Sequence, residues 1–352
     1  MSATPGCGAC GGTVAPDGHC WDCGTAQPSF RAHVEATAGP GAAAVSDRGL
    51  RRAVNADAMA LVTAGPWTIG VVCDGVSMSP RSERAARVAA QTGAATLAAR
   101  LEAGALPEDA HHRAAVRAGR AVAALAASVD AAPACTYVAA TAGPQGLWCG
   151  SVGDSRAYWL PDHGPGMALT EDDTGEHDAL AAWLGADAPE PEPHIRSYRP
   201  PGPGRLLLCT DGLWRYLPDP DSLRVHLTPH PSAIRATTAR LSDIQPPASR
   251  PPNVRQSDDL ADRTRLDGSR LASSPLGDAR PDGASHPDDA GIPDGGELLD
   301  GGGLLDEARA LVAHALDAGG HDNVTALLIA VPAPMARDVS GPFGPRAVPR
   351  TC

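Results

Sequence analysis

Five aspartates carry the most suggestive chemistry in this chain. They stand at the ends of apolar runs or in turns, each beside glycine or a small polar residue: Asn55-Ala56-Asp57, Cys73-Asp74-Gly75, Gly153-Asp154-Ser155-Arg156, Thr210-Asp211-Gly212 and Gly320-His321-Asp322-Asn323. A single Asp-Gly pair is ordinarily a turn and nothing more. Five carboxylates that converged would repel one another. A hard divalent cation bound through oxygen and water relieves that repulsion, which points to Mg²⁺ or Mn²⁺.

A second set of residues asks for a different metal. Cys7, Cys10, Cys20 and Cys23 read C-x2-C, nine residues, C-x2-C, with glycines following each pair. Four thiolates at this spacing close a tetrahedral structural Zn²⁺ site, each C-x-x-C forming one tight knuckle. Two disulfides are the competing arrangement, and a cytoplasmic chain with five further scattered cysteines argues against them. A thioredoxin-type redox pair would need a strand-helix setting that the sequence lacks. His19 adjoins Cys20 and reads as a solvated neighbour rather than a ligand. Residues 1–30 contain no Arg, and their only charges are Asp17 and Asp22. Nucleic-acid affinity rests on neutralising phosphates, so a nucleic-acid partner is not expected; a folding module or protein-contact module is. Cys73, Cys135, Cys149 and Cys209 lie in apolar stretches and read as small core residues.

Composition narrows the chemistry further. All the basic residues of the chain are Arg and none is Lys. That excludes Schiff-base catalysis and the Walker-type phosphate loop, both of which need lysine. The net charge is −12. Half of it falls in residues 251–300, where 11 acidic residues meet 5 Arg, so an acidic binding face is not implied. No apolar run approaches a membrane span, and the N-terminus has neither a charged start nor an apolar stretch. A soluble, cytoplasmic protein without a membrane partner is expected.

Positioning these groups requires strands and helices, and several are legible. Runs rich in Val, Ile, Leu, Tyr and Trp predict strands over 67–73, 135–142, 146–152, 157–160, 205–209 and 323–331. Gly143-Pro144-Gln145 between the second and third predicts an antiparallel hairpin. A helical face of Ala85, Val88, Ala89, Thr92, Thr96 and Ala99 predicts a helix entered at Ser79-Pro80. Two more are predicted over 108–129 and 304–316, the latter stopped by Gly319-Gly320. Residues 25–44 read as a linker running into a first strand. Residues 242–303 are rich in Pro, Gly, Asp and Ser and read as a disordered insertion. A Pro-rich tail, 333–352, reads the same way. Helices layered over antiparallel sheets fit this order better than a doubly wound parallel sheet.

Taken in order, the blocks become recognisable. Ser46-Asp47-Arg48-Gly49 with Arg52 and Asp57, Cys73-Asp74-Gly75, Val152-Gly153-Asp154-Ser155-Arg156, Cys209-Thr210-Asp211-Gly212 and Gly320-His321-Asp322-Asn323-Val324-Thr325 resemble the bacterial branch of the metal-dependent, protein phosphatase 2C-like (PPM) phosphatases. The resemblance spans residues 34–332 less the insertion, with a four-cysteine zinc ribbon at 1–24 in front. It implies an α+β fold, a four-layer α-β-β-α sandwich of two antiparallel sheets. It also implies a Ser/Thr protein phosphatase with two Mn²⁺ or Mg²⁺ ions at one edge and phosphorylated Ser/Thr proteins as partners. Carried over residue by residue, Asp74 bridges both metals and the Gly75 carbonyl completes one. Asp211 and Asp322 bind the other, Asp57 holds metal-bound water, and Asn323 supports the site. Asp154 belongs to a third metal position. Arg52 matches the arginine that grips substrate phosphate, and a metal-bridged hydroxide attacks phosphorus.

The departures from that pattern bear on detail. Ala56 stands where the family has Glu, which implies weaker binding of one metal. Val76-Ser77-Met78-Ser79 follows Asp74-Gly75 and brings no histidine, so water would protonate the leaving group; His177 is a loop histidine of the solvated kind. Arg215 stands where an Asp would help bind a third metal. Only residues 171–183 remain where relatives carry a flap. Ala56 and Arg215 together motivate the alternative of a weak or inactive phosphatase-fold regulatory or binding protein.

Overall fold

Two antiparallel sheets lie face to face, and a layer of helices covers the outer side of each. The computed structural model describes residues 6–15, 18–25, 27, 31–227 and 301–332. All belong to one unit, drawn from Met1–Arg235 and Leu298–Cys352; the second unit, Ala236–Glu297, lies outside the described residues. The expected tail and residues 242–300 of the expected insertion lie outside them too.

The first sheet contains β1 (His33–Thr37), β2 (Ala42–Asp47), β7 (Arg156–Pro161), β8 (Met167–Ala168), β10 (Gly204–Cys209) and β11 (Val324–Val331), in the order β1-β2-β11-β10-β7-β8. The second contains β3 (Ala58–Ala64), β4 (Trp67–Cys73), β5 (Tyr137–Gly143), β6 (Gly146–Val152) and β9 (His194–Tyr198), in the order β3-β4-β5-β6-β9. Helices α1 (Ser82–Glu102) and α2 (Pro107–Ala123) cover the second sheet. Short α3 (Asp211–Trp214) and α4 (Pro220–Arg224), with α5 (Gly301–Asp317), cover the first.

Alternation along each strand produces three apolar layers. In β10, Leu207 and Cys209 meet α5 through Ala308 and Leu311. Leu206 and Leu208 turn the other way and meet Val72, Val138, Leu327 and Ile329 between the sheets. Beyond the second sheet, Ile69, Val71 and Ala139 pack on Ala85, Ala89 and Leu97 of α1. With so few aromatics, small Ala faces let helix and sheet approach closely. Arg205 is buried at 5% exposure in β10 and forks onto Glu307 of α5 at 2.9 and 3.0 Å. That pair ties α5 to the sheet.

The α-β-β-α architecture agrees with the expectation, and so do most predicted strands. Three differences have identifiable causes. Residues 33–47, read mostly as linker, form β1 and β2; the alanines of β2 have little strand preference of their own, and pairing to β1 and β11 on either side makes them a central strand. Helix α1 begins at Ser82 behind a left-handed Arg81 (φ 55°), not at Ser79-Pro80. Ser79 Oγ instead donates to the Val76 carbonyl and accepts from the Ala134 N–H, both at 3.0 Å, tying down the turn after Asp74-Gly75. Helix α2 stops at Ala123, since Val122 is the last residue it buries and Val129 lies exposed. The hairpin at Gly143 has Pro144-Gln145 at its tip, with Gly143 paired to Gly146.

Candidate active site

Strand register brings the aspartates to one edge of the sandwich. Ala58 pairs with Cys73, so Asp57, just before β3, stands across from Asp74, just after β4. In the first sheet, Cys209 pairs with Ala326 and with Arg156. Asp211 after β10, Asp322 before β11 and Asp154 before β7 therefore emerge at the same end. Val324 pairs with Asp47, which places the β2–β3 loop carrying Arg52 there as well.

Asp57 is the most enclosed of the five, at 4% exposure. Its Oδ2 accepts from the Thr210 and Thr325 hydroxyls at 2.8 and 2.7 Å. Its Oδ1 is buried with no hydrogen-bond partner, and the same holds for Oδ1 of Asp211. Burial, reinforced by the charges of Asp211 and Asp322, outweighs the two hydroxyls and pushes the Asp57 carboxyl up to about 7. Burial and then repulsion from Asp57, Asp211, Asp322 and Asp154 push Asp74 well above the usual carboxylate range. Asp154 rises to about 6, from burial and from Asp211 and Asp172. Oxygen-only, anionic and partly desolvated groups of this kind are the donors a hard divalent cation prefers. Among the described residues no three of these carboxylates bring oxygens within 4.8 Å of one another, whereas the thiols of Cys7, Cys10, Cys20 and Cys23 do.

Two arginines partly offset this negative charge. Arg52 forks onto Asp322, its Nε at 2.7 Å from Oδ1 and its Nη2 in contact with Oδ2. Arg215 donates from Nε to Asp211 Oδ2 at 2.9 Å, one helical turn along α3. Both line an open cleft of about 520 Å³ with Ser77, Tyr216, His321 and Asp322. Asn323 braces the loops around it: Oδ1 accepts from the Ala56 N–H at 2.7 Å, and Nδ2 donates to the Arg48 and Val54 carbonyls at 2.7 and 3.0 Å. Gly75 is required by close approach. A Cβ there would stand 2.8 Å from the Ser82 carbonyl and 2.9 Å from that of Ala56.

Some participants were not assigned from sequence. Thr210 and Thr325 anchor Asp57, and their signal was position: Thr210 precedes Asp211 and Thr325 follows Asn323 by two. Asn55, buried at 7% exposure, accepts from the Asp57 N–H through Oδ1 at 3.2 Å. His321 lines the cleft, whereas His177 is exposed in a 3-10 turn with positive φ. The Asp154 carbonyl accepts from the Trp214 indole N–H at 2.9 Å, and the Trp214 ring lies 3.8 Å from the Arg156 guanidinium. Residues 170–193 contain no α-helix among the described residues.

Comparison with known proteins follows the same outline. Residues 49–245 match the model of the family described as protein phosphatase 2C. No curated protein matches the chain. Among solved structures, a serine/threonine phosphatase of S. agalactiae is 16% identical, with a TM-score of 0.52 over 82% of this chain and 98% of that one. PppA of Pseudomonas aeruginosa is 19% identical, with a TM-score of 0.52 over 85% and 100%. The serine/threonine phosphatase PstP/Ppp of Mycobacterium tuberculosis is 22% identical, with a TM-score of 0.50 over 83% and 98%. These likenesses establish a shared fold. No helix among the described residues is long and apolar enough to cross a membrane.

Proposed function

Since the chain belongs to the protein phosphatase 2C family, we propose that it is a metal-dependent phosphatase acting on phosphoserine and phosphothreonine in proteins. The observation that carries this reading is the set of buried and half-buried, mutually repelling carboxylates at one sheet edge, two of them with an orphaned oxygen, beside a cleft lined by Arg52 and Arg215.

In this reading Asp57, Asp74, Asp211 and Asp322, with the Gly75 carbonyl, hold two Mn²⁺ or Mg²⁺ ions, and Asp154 lies at the margin. When bound, such ions acidify water and offset charge on the phosphoryl group. The chain's own residues do the rest. Arg52 binds the phosphate, because its fork takes two phosphate oxygens as readily as the two carboxylate oxygens of Asp322. Thr210 and Thr325 orient Asp57 by occupying one oxygen and leaving the other unpaired. Asn323 fixes the backbone on both sides of Arg52 through the Arg48, Val54 and Ala56 contacts. The residues after Gly75 are Val76, Ser77 and Met78, so solvent water delivers the proton to the departing alkoxide oxygen, giving the free hydroxyl. The bacterial phosphatases of the same fold and the resemblance of the five sequence blocks both favour phosphoprotein substrates.

A second reading has its own observation. Arg215 already occupies one oxygen of Asp211, and Ala56 supplies no carboxylate beside Asp57. A phosphatase fold that binds phosphoprotein with little or no turnover would look this way. Mn²⁺-dependent phosphate release from a phosphothreonine peptide separates the two. Turnover by the wild type, falling about a thousandfold in Asp74→Asn, is the expected result. Equal, metal-independent rates for the two proteins would end the enzyme reading; Mn²⁺ and peptide binding without turnover would establish the second.

A further inference from the structure

The N-terminal cysteines form a ligand set that the phosphatase reading leaves unused. Cys7 Sγ lies 3.7 Å from Cys23 Sγ, and Cys10 Sγ lies 3.5 Å from Cys20 Sγ. Disulfide sulfurs stand about 2.05 Å apart. Four thiolates arranged tetrahedrally at about 2.3 Å from one zinc ion stand about 3.8 Å from each other. The observed spacing is that of the second arrangement. The two knuckles also repeat one another. The Ala9 N–H donates to Cys7 Sγ at 3.4 Å, and the Asp22 N–H to Cys20 Sγ at 3.3 Å. Gly11 and Gly24, at φ 77° and 71°, close the two turns by donating to the Cys7 and Cys20 carbonyls. Backbone N–H groups aimed at sulfur favour thiolate, the form that binds metal.

The ribbon does not stand apart from the phosphatase fold. His19, next to Cys20, meets Glu83 in the first turn of α1 at 2.6 Å, and both side chains are mostly buried. Between ribbon and fold lies a small cavity whose wall includes Gly18, His19 and Gln27 on one side and Asn55, Asp57 and Glu83 on the other. Asn55 ties the Asp57 segment to the stretch that follows the ribbon. Its Nδ2 donates to the Arg31 carbonyl at 3.2 Å, just beyond the ribbon, and its Oδ1 accepts from the Asp57 N–H.

We infer that Cys7, Cys10, Cys20 and Cys23 hold one zinc ion, and that the loaded ribbon acts as a bracket that fixes the Asn55–Asp57 segment through His19–Glu83 and the Arg31–Asn55 contact. Metal holds the knuckles, the knuckles hold Gly18 and His19 against α1, and that docking keeps the segment carrying Asp57 in place. The zinc site and the bracket stand on their own geometry; only their consequence for catalysis rests on the phosphatase reading of Asp57.

Two measurements on the full-length chain test this. Elemental analysis is expected to find one zinc per chain in the wild type and none in the double variant Cys7→Ser, Cys20→Ser. Hydrogen exchange at the Ala56 and Asp57 amides, which donate to Asn323 and Asn55, is expected to quicken about tenfold when the zinc is stripped by a chelating dye. His19→Ala should quicken the same two amides while keeping its zinc, which separates loss of docking from ribbon unfolding. A wild type without zinc overturns the site. Unchanged exchange in both the stripped wild type and His19→Ala overturns the bracket. Zinc and exchange results as expected in a chain that releases no phosphate would uphold the bracket and fail the phosphatase reading alone.

Discussion

The two proposed ligand sets of this protein are opposites in almost every respect. The ribbon gathers four soft sulfurs within 4.8 Å of one another from 17 consecutive residues. The sheet edge gathers hard carboxylates from positions as far apart as Asp57 and Asp322, and holds them farther from one another than the thiols. The ribbon's geometry is dictated by two short turns, each with its own backbone N–H to sulfur bond. The carboxylate edge exists only because two sheets pack, and its charges are kept apart by Arg52, Arg215, Thr210 and Thr325. Locally dictated sites can form early and hold their ligands close. Sites assembled by tertiary structure store repulsion, and that repulsion is what a cation would relieve.

The pH dependence of stability probes the burial and mutual repulsion of these carboxyls most strongly. A carboxyl whose pKa is raised on folding binds its proton more tightly in the folded chain than in the unfolded one. For Asp57, between its ordinary 3.8 and about 7, folding takes up a proton, so stability falls as pH rises through this window. Asp74, raised well above its ordinary value, contributes with the same sign. In the presence of a chelator the urea midpoint should therefore drop between about pH 5 and about pH 7.5 by the equivalent of a few kcal/mol, and Asp57→Asn should make the drop shallower without abolishing it. His111 acts in the opposite sense. Burial holds it down to about 3, so its contribution grows as pH rises from there toward 6.5, and that slope should survive in the variant. A wild type whose metal-free stability rises steadily through neutral pH would show that folding does not raise these carboxyls.

The Thr325 hydroxyl offers a smaller handle on the same contrast. Thr325→Val keeps the shape of a buried side chain but removes a donor to Asp57 Oδ2 at 2.7 Å. Mn²⁺ affinity measured by calorimetry should fall about tenfold, the scale of lost groups that orient a metal ligand. Zinc content of the ribbon should not change. Loss of both metals together would mean that the two sites are one cooperative structure.

Ala56→Glu carries the smallest expected effect. It adds an oxygen donor beside Asp57 at a half-buried position, and Mn²⁺ affinity should rise severalfold at unchanged zinc content. An affinity that stays level or falls would show that Arg215 and Arg52, rather than the missing carboxylate, set the metal affinity of this edge.

Reading the sequence recovered the ribbon spacing because C-x2-C is a statement about three consecutive peptide units, and local geometry follows from local sequence. It recovered β4, β6, β10 and β11 because their residues are apolar on both faces and bounded by Gly, Pro or Asp. It recovered the five aspartates as candidates, and the order of the blocks supplied the family. It passed over β2 and β3, whose alanine-rich runs have no strand preference of their own and are held by their neighbours' register. The start of α1 was displaced because Ser79 bonds to Val76 and Ala134 instead of capping a helix. Nothing local says that Arg52 will fork onto Asp322, 270 residues away, or that Arg205 will be buried against Glu307, 102 residues away.

Residue type and spacing thus determined which chemistry was available: thiolates for a soft ion, carboxylates for hard ones, and guanidinium as the only strong cation in a chain without lysine. Tertiary structure alone decided which oxygens would be left without partners, which carboxyls would be pushed toward neutrality and which arginines would meet them. Those outcomes depend on desolvation and on distances between strand ends, and both arise only when the two sheets close on each other.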